Sequence, residues 1–175
     1  MKIISAILLG GLTAGVLDIL YAFLVYGPLS YGLSPVDVLH SVAAGWMGRD
    51  AASSGGWNTA LIGLGSHFMI ALLMAAAYVL AATRMAALTA RPILWGVLYG
   101  LVLYVAMNYV VVPLSAAATG EFASSPSEVV ERLQTSFSML RPRIDPDHVW
   151  IFPGTIFTHT ILVGVPITLA AKRTL

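Results

Sequence analysis

The chain has no cysteine. That removes disulfides, thiolate metal sites and cysteine nucleophiles together, and leaves the compartment open. Charge is nearly as scarce: Asp, Glu, Lys and Arg make up 10% of 175 residues, against about a quarter in ordinary soluble domains. With 58% apolar residues and a mean hydropathy of +0.87, a water-soluble globule is excluded. Also missing are an H-x-x-x-H pair, a phosphate-cradling glycine loop, a zincin motif and a readable nucleophile–base pair, so the sequence leans away from an enzyme. Nothing in it points to nucleic acid.

What is present is four long apolar runs, at about 3–26, 58–82, 92–113 and 150–171. Each has roughly the 20 residues needed to cross hydrocarbon at 1.5 Å rise per residue. The first run continues through Leu20, Phe23 and Val25, well beyond the apolar stretch of a signal peptide, and reads as a retained anchor. Nothing is left over to bury a second core, so residues 1–175 form one transmembrane domain. The expected fold is all-α, an integral-membrane four-helix bundle with two short amphipathic surface helices on its outer side.

Charge sets the expected orientation. Lys2, Arg84, Arg91, Lys172 and Arg173 fall on one side of such a topology, without an acidic residue. Arg49, Arg132, Arg141, Arg143 and every acid except Asp18 fall on the other. Three of those arginines lie in a long loop and count for less, so both termini are read as cytoplasmic and the protein as multi-pass in a bacterial inner membrane.

The external loops are 27–57 and 114–149. In the first, Ser34-Pro35-Val36-Asp37 supplies an N-cap, a first-turn proline and an acid. Val36, Leu39, Val42, Ala43, Trp46 and Met47 follow at helical spacing, with His40 on the polar, solvated face and Trp46 at headgroup level. Ser53-Ser54-Gly55-Gly56 reads as a hinge. In the second, Ser125-Pro126-Ser127-Glu128 starts a helix whose stripe is Val129, Val130, Leu133, Phe137 and Leu140. That stripe either caps the bundle or docks a larger membrane complex or a second copy. His148 beside Asp147 reads as surface-exposed rather than as a loop metal site.

Gly11, Gly15 and Pro28-Leu29-Ser30 match Gly96, Gly100 and Pro113-Leu114-Ser115 at a constant offset, which suggests a tandem two-helix repeat. In that arrangement His67 and His159 face one another. The two G-x-x-x-G pairs let helix backbones approach closely, and Pro113 and Pro166 mark kinks or stops.

Each run carries one buried-type polar residue: Asp18, His67, Asn108 and His159. Helix rise sets Asp18 about 12 Å, both histidines about 14 Å and Asn108 about 8 Å below the outer boundary. An ionisable group in hydrocarbon is costly unless partnered, so these four are the candidate intramembrane pocket. Tyr21, Ser66, Tyr104, Thr158 and Thr160 extend the layer. The plainest reading is interhelical hydrogen bonding in a non-enzymatic accessory or binding component. A second has His67, His159 and Asp18 ligating a divalent metal, or the two imidazoles holding a haem or other tetrapyrrole. A third is proton or small-solute transport, against which the inner half, with Ile7, Leu8, Leu73, Met74, Leu98 and Leu169, offers no continuous polar path.

Several runs carry a family likeness: Gly63-Leu64-Gly65-Ser66-His67-Phe68-Met69-Ile70-Ala71, Met107-Asn108-Tyr109-Val110-Val111-Val112-Pro113-Leu114-Ser115, and His159-Thr160-Ile161-Leu162-Val163-Gly164-Val165-Pro166-Ile167, with Gly45, Gly48, Gly55-Gly56 and Tyr99-Gly100. Together the chain resembles a group of small four-span bacterial inner-membrane proteins, broadly YagU-like. The stretch from Glu121 to Asp147 is longer than in that pattern. The resemblance implies fold and location only and brings no activity with it.

Overall fold

In hydrocarbon every backbone N–H must find a carbonyl within its own segment, so long apolar runs become helices. A computed structural model describes residues 2–138 and 144–175, and the described residues are all-helical. In chain order the helices are α1 (Lys2–Tyr26), α2 (Pro35–Met47), α3 (Arg49–Ser54), α4 (Gly56–Arg84), α5 (Ala87–Ala90), α6 (Pro92–Leu114), α7 (Ala116–Thr119), α8 (Pro126–Ser138) and α9 (Ile151–Thr174). Of these, α1, α4, α6 and α9 are long and apolar enough to cross a membrane, close to the expected bounds.

Proline shapes two of them. Within α6 the stretch Ala106–Val111 is π-helical, and within α9 so is Thr158–Gly164. Each ends two residues before a proline, Pro113 and Pro166. Proline lacks an N–H and its ring crowds the carbonyl four residues back. The wider register relieves that crowding: Val112 N–H reaches back to Met107 and Val165 N–H to Thr160. Both prolines are expected to kink or stop their helices: α6 does end at Leu114, one residue past Pro113, whereas α9 continues through Pro166 to Thr174.

The chain forms two compact units. The first comprises Met1–Ala22, His67–Tyr104 and Pro153–Leu175, and the second Phe23–Ser66 and Val105–Phe152. Small residues fill the interior of the first unit: Ala6, Ala14, Ala75 and Ala171 are fully buried, with Val79 and Ile167. Large aliphatics face outward, Leu20 at 57% exposure, Leu73 at 61% and Val102 at 62%. Water would penalise that surface and lipid removes the penalty, while small buried residues let helices pack.

Both glycine pairs sit at close approaches, as expected. A Cβ on Gly11 would meet Leu72 Cα at 2.9 Å, and one on Gly15 would meet Phe68 at 2.8 Å. On α6, a Cβ on Gly96 would meet Val165 Cα at 2.7 Å, and one on Gly100 would overlap the His159 carbonyl. Tyr99 on α6 donates to the Met74 carbonyl of α4 at 2.7 Å.

In the second unit, α2 begins with the expected N-cap, and the first-turn acid completes a capping box: Asp37 N–H donates to Ser34 Oγ, and Ser34 N–H to the Asp37 carboxylate. The buried face is not the expected one. Val38, Leu39, His40, Ala43 and Ala44 are buried, while Val36 and Trp46 are not. His40 is therefore no solvated side chain; it lies 8% exposed with Nε2 2.9 Å from the Gly56 carbonyl. Trp46 Nε1 donates to Ser66 Oγ at 2.8 Å. The expected hinge narrows to Gly55-Gly56, since Ser53 and Ser54 complete α3. Gly56 takes φ +55, which favours glycine. In the second external segment, α8 is capped by Ser125, which accepts from Glu128 N–H.

Candidate functional site

In the first unit α1 and α4 run antiparallel in a register fixed by glycine. Gly11 lies against Leu72 and Gly15 against Phe68, so one turn further along α1 Asp18 comes to His67. Because Gly15 has no side chain, its carbonyl is open to the imidazole: His67 Nε2 is 2.8 Å from Gly15 O. A carbonyl can only accept, so Nε2 carries the hydrogen. His67 Nδ1 is then left facing Asp18 Oδ2 at 3.9 Å, with the His67 side chain 11% exposed and the Asp18 side chain 30% exposed. The other carboxylate oxygen, Oδ1, accepts from Thr158 Oγ1 at 2.7 Å. Thr158 is buried at the start of the π-helical stretch of α9. Three helices thus meet on one carboxylate.

The pair has a defined proton inventory. With Nε2–H committed to Gly15, neutral His67 presents a lone pair at Nδ1 to a carboxyl group. One further proton, on either His67 or Asp18, turns the contact attractive, as an imidazolium–carboxylate pair or as an acid facing a base.

His159 follows Thr158 in sequence but serves a different surface. Its Nδ1 is 2.8 Å from the Thr155 carbonyl, and its ring packs edge-to-face with Tyr104 at 5.7 Å. By the same reasoning Nδ1 carries the hydrogen, and Nε2 keeps a lone pair. Thr160 Oγ1 bonds back to Ile156. Asn108 belongs to the second unit, half-buried on the π-helical stretch of α6. Of the expected four-residue pocket, Asp18 and His67 are therefore brought together, with Thr158 as third member. Within the first unit His159 is directed to Thr155 and Tyr104.

The expected metal ligand set does not assemble. Among the described residues, no three His, Cys, Asp or Glu side chains are placed to hold a metal ion. His67 commits Nε2 to the Gly15 carbonyl and faces Asp18 with Nδ1 at 3.9 Å, because the Gly15 carbonyl and the Asp18 carboxylate stand one turn apart on α1. The Gly15 carbonyl was the part missed in the sequence; a G-x-x-x-G motif followed one turn later by an acid is the signal that carried it.

In the second unit, Tyr31 O–H donates to Asp145 Oδ2 at 2.5 Å, and the His148 ring lies tilted against Tyr31 with ring centroids 4.8 Å apart. That hydrogen bond pushes the Tyr31 phenol up to about 12 and, with the Asp147 N–H, holds the Asp145 carboxyl below its ordinary range. His148 lies 3.5 Å from Asp145 and not on Asp147. Arg132 pairs with Glu128, whose carboxyl is held low first by the Ser124 N–H and then by Arg132. Of the docking stripe, Phe137 stacks on Tyr109 at 5.8 Å, Val129 and Leu133 are half-buried, and Val130 is exposed. Leu140 lies outside the described residues.

No family model matches the chain, and neither does any curated protein or solved structure.

Proposed function

We propose that this protein is a non-enzymatic, multi-pass component of the bacterial inner membrane, of the YagU-like kind, folded as a four-helix bundle with both termini cytoplasmic. Its working element is the Asp18–His67–Thr158 site, which binds a proton within the membrane. One observation carries this reading: His67 Nδ1 and Asp18 Oδ2 stand 3.9 Å apart on two apolar helices, with Nε2 committed to Gly15. An ionisable pair in such helices is costly to maintain and marks a proton-handling position. As an accessory component the protein would pass the consequence of protonation to a partner rather than conduct, since Ile7, Leu73, Met74 and Leu169 give the spans no continuous polar path.

Nitrogen chemical shifts of isotope-labelled histidine, measured in membranes, test it. His67 is expected to show Nε2 protonated throughout, and its Nδ1 state to change on Asp18→Asn. Identical His67 shifts in wild type and Asp18→Asn would end the proposal. Proteoliposomes carrying a pH dye separate binding from transport: an Asp18-dependent proton flux would move the protein into the transporter class.

A second reading rests on His159. Its Nε2 lone pair, with Nδ1–H anchored on a backbone carbonyl, has the form of a ligating imidazole. A haem, tetrapyrrole or metal held there would give the purified protein colour or bound metal that His159→Ala abolishes. A colourless, metal-free wild type retires this reading.

A further inference from the structure

Where α6 begins and α9 ends, the first unit carries three cations with no counter-charge. Arg91, Lys172 and Arg173 line an open groove of roughly 720 Å³, and no acidic side chain lines it with them. None of the three side chains makes a hydrogen bond or ion pair with a described residue. Lys172 and Arg173 lie in the last turn of α9, where they offset the negative end of its dipole. Arg91 follows the C-terminus of α5, a helix of only four residues with little dipole to offset. It immediately precedes α6, where the dipole is already positive, so its charge adds to an uncompensated field.

The rest of the groove is aliphatic. Ile93 is 63% exposed, Leu94 48% and Leu169 44%, and all three belong to the membrane-crossing helices. The walls are fixed rather than loose. Thr168, fully buried, donates to the Pro92 carbonyl at 2.7 Å, and Gly164 is pressed against the Gly96 carbonyl. A ligand that fits must be anionic at one end and apolar along its length.

We propose that this groove binds an anionic phospholipid, its headgroup phosphate held by Arg91, Lys172 and Arg173 and its acyl chains lying along Ile93, Leu94 and Leu169. Basic pockets between spanning helices take such headgroups because lipid chains remain in the bilayer while the phosphate meets fixed cations. The groove is separate from the Asp18–His67 site and does not depend on its function.

Native mass spectrometry of the full chain in mild detergent tests this, with phosphatidylglycerol, phosphatidylcholine of the same chains, and inorganic phosphate as probes. Phosphatidylglycerol is expected to be retained in preference to phosphatidylcholine. Its retention should fall about fivefold for Arg91→Gln, Lys172→Gln or Arg173→Gln singly, and about a hundredfold for the triple variant. Lys2→Gln with Arg84→Gln, charges outside the groove, should leave retention within about twofold of wild type. Three results would overturn the proposal: equal retention of phosphatidylcholine, equal loss in the Lys2/Arg84 control, or displacement of the lipid by equimolar inorganic phosphate.

Discussion

Gly15 and His67 are joined by a hydrogen bond from the imidazole Nε2 to the glycine carbonyl, 2.8 Å long, and that bond decides which end of the ring meets Asp18. Were Gly15 any larger residue, its side chain would occupy the space of Phe68 and α4 would stand away from α1. The acid and the imidazole would then separate. The site is in this sense a product of close helix packing, and the packing is a product of glycine.

The pair should be energetically coupled. In a double-mutant cycle of Asp18→Asn and His67→Phe, followed by unfolding in detergent, the coupling is expected at about 0.6–1.7 kcal/mol, the range of polar contacts between spanning helices. Strict additivity of the two substitutions would show that the pair does not interact.

Glycine substitutions should divide sharply by location. Gly100→Ala would set a Cβ on the His159 carbonyl and the Thr160 backbone, and Gly164→Ala one on the Gly96 carbonyl; backbone cannot step aside cheaply. Each is expected to cost about 1–3 kcal/mol. Gly65, also helical, has nothing within 4 Å of an added Cβ, so Gly65→Ala should be neutral or stabilise by up to about 1 kcal/mol. Thermal unfolding of the three variants side by side distinguishes the packing account from a general sensitivity to glycine loss.

The Tyr31–Asp145 contact sets a pH window. Asp145 titrates below its ordinary value of 3.8 because it accepts from Tyr31 and the Asp147 N–H, and Tyr31 is pushed from 10.0 up to about 12. A carboxyl with a depressed folded value contributes stability that is complete above the unfolded value and lost as pH falls through the folded one. A phenol with a raised value contributes stability that is complete below 10.0 and lost as pH rises towards about 12. The contact should therefore contribute fully between 3.8 and 10.0 and weaken on either side. In phenolate absorbance, taken as wild type minus Tyr31→Phe, Asp145→Asn is expected to return the Tyr31 transition towards 10.0. An unshifted transition would contradict this.

His40 should behave as a buried anchor. Its Nε2 sits 2.9 Å from the Gly56 carbonyl at the start of α4, so His40→Ala removes both a hydrogen bond and packing from the second unit. A loss of about 1–3 kcal/mol is expected. A change within about 0.5 kcal/mol, the range of ordinary surface substitutions, would instead place His40 in solvent.

Periodicity was bound to mislead at α2. Val36, Leu39, Val42, Ala43, Trp46 and Met47 share a face by spacing, yet the buried set is Val38, Leu39, His40, Ala43 and Ala44. Apolar spacing identifies the buried stripe only when water lies on the far side. Here α2 packs closely enough on α4 that a Cβ at Gly63 would overlap the Leu39 carbonyl, and the Gly56 carbonyl supplies an acceptor for an imidazole. Neither is visible in the local sequence.

By itself the sequence determined the membrane-crossing helices, their limits, the glycine contacts and the cap at Ser34, because each follows from local composition and from the need to satisfy backbone groups within one segment. It also marked Asp18 and His67 as costly residues in hydrocarbon. Only tertiary structure decided that the Gly15 carbonyl and the Asp18 carboxylate meet His67 and the Thr158 hydroxyl meets Asp18, while His159 is directed to Thr155 and Tyr104. Two residues at equal depth share a site only if their helices are rotated to face each other. That rotation is set by inter-helix packing and by the π-helical stretch before Pro166, which changes the direction of every side chain along it.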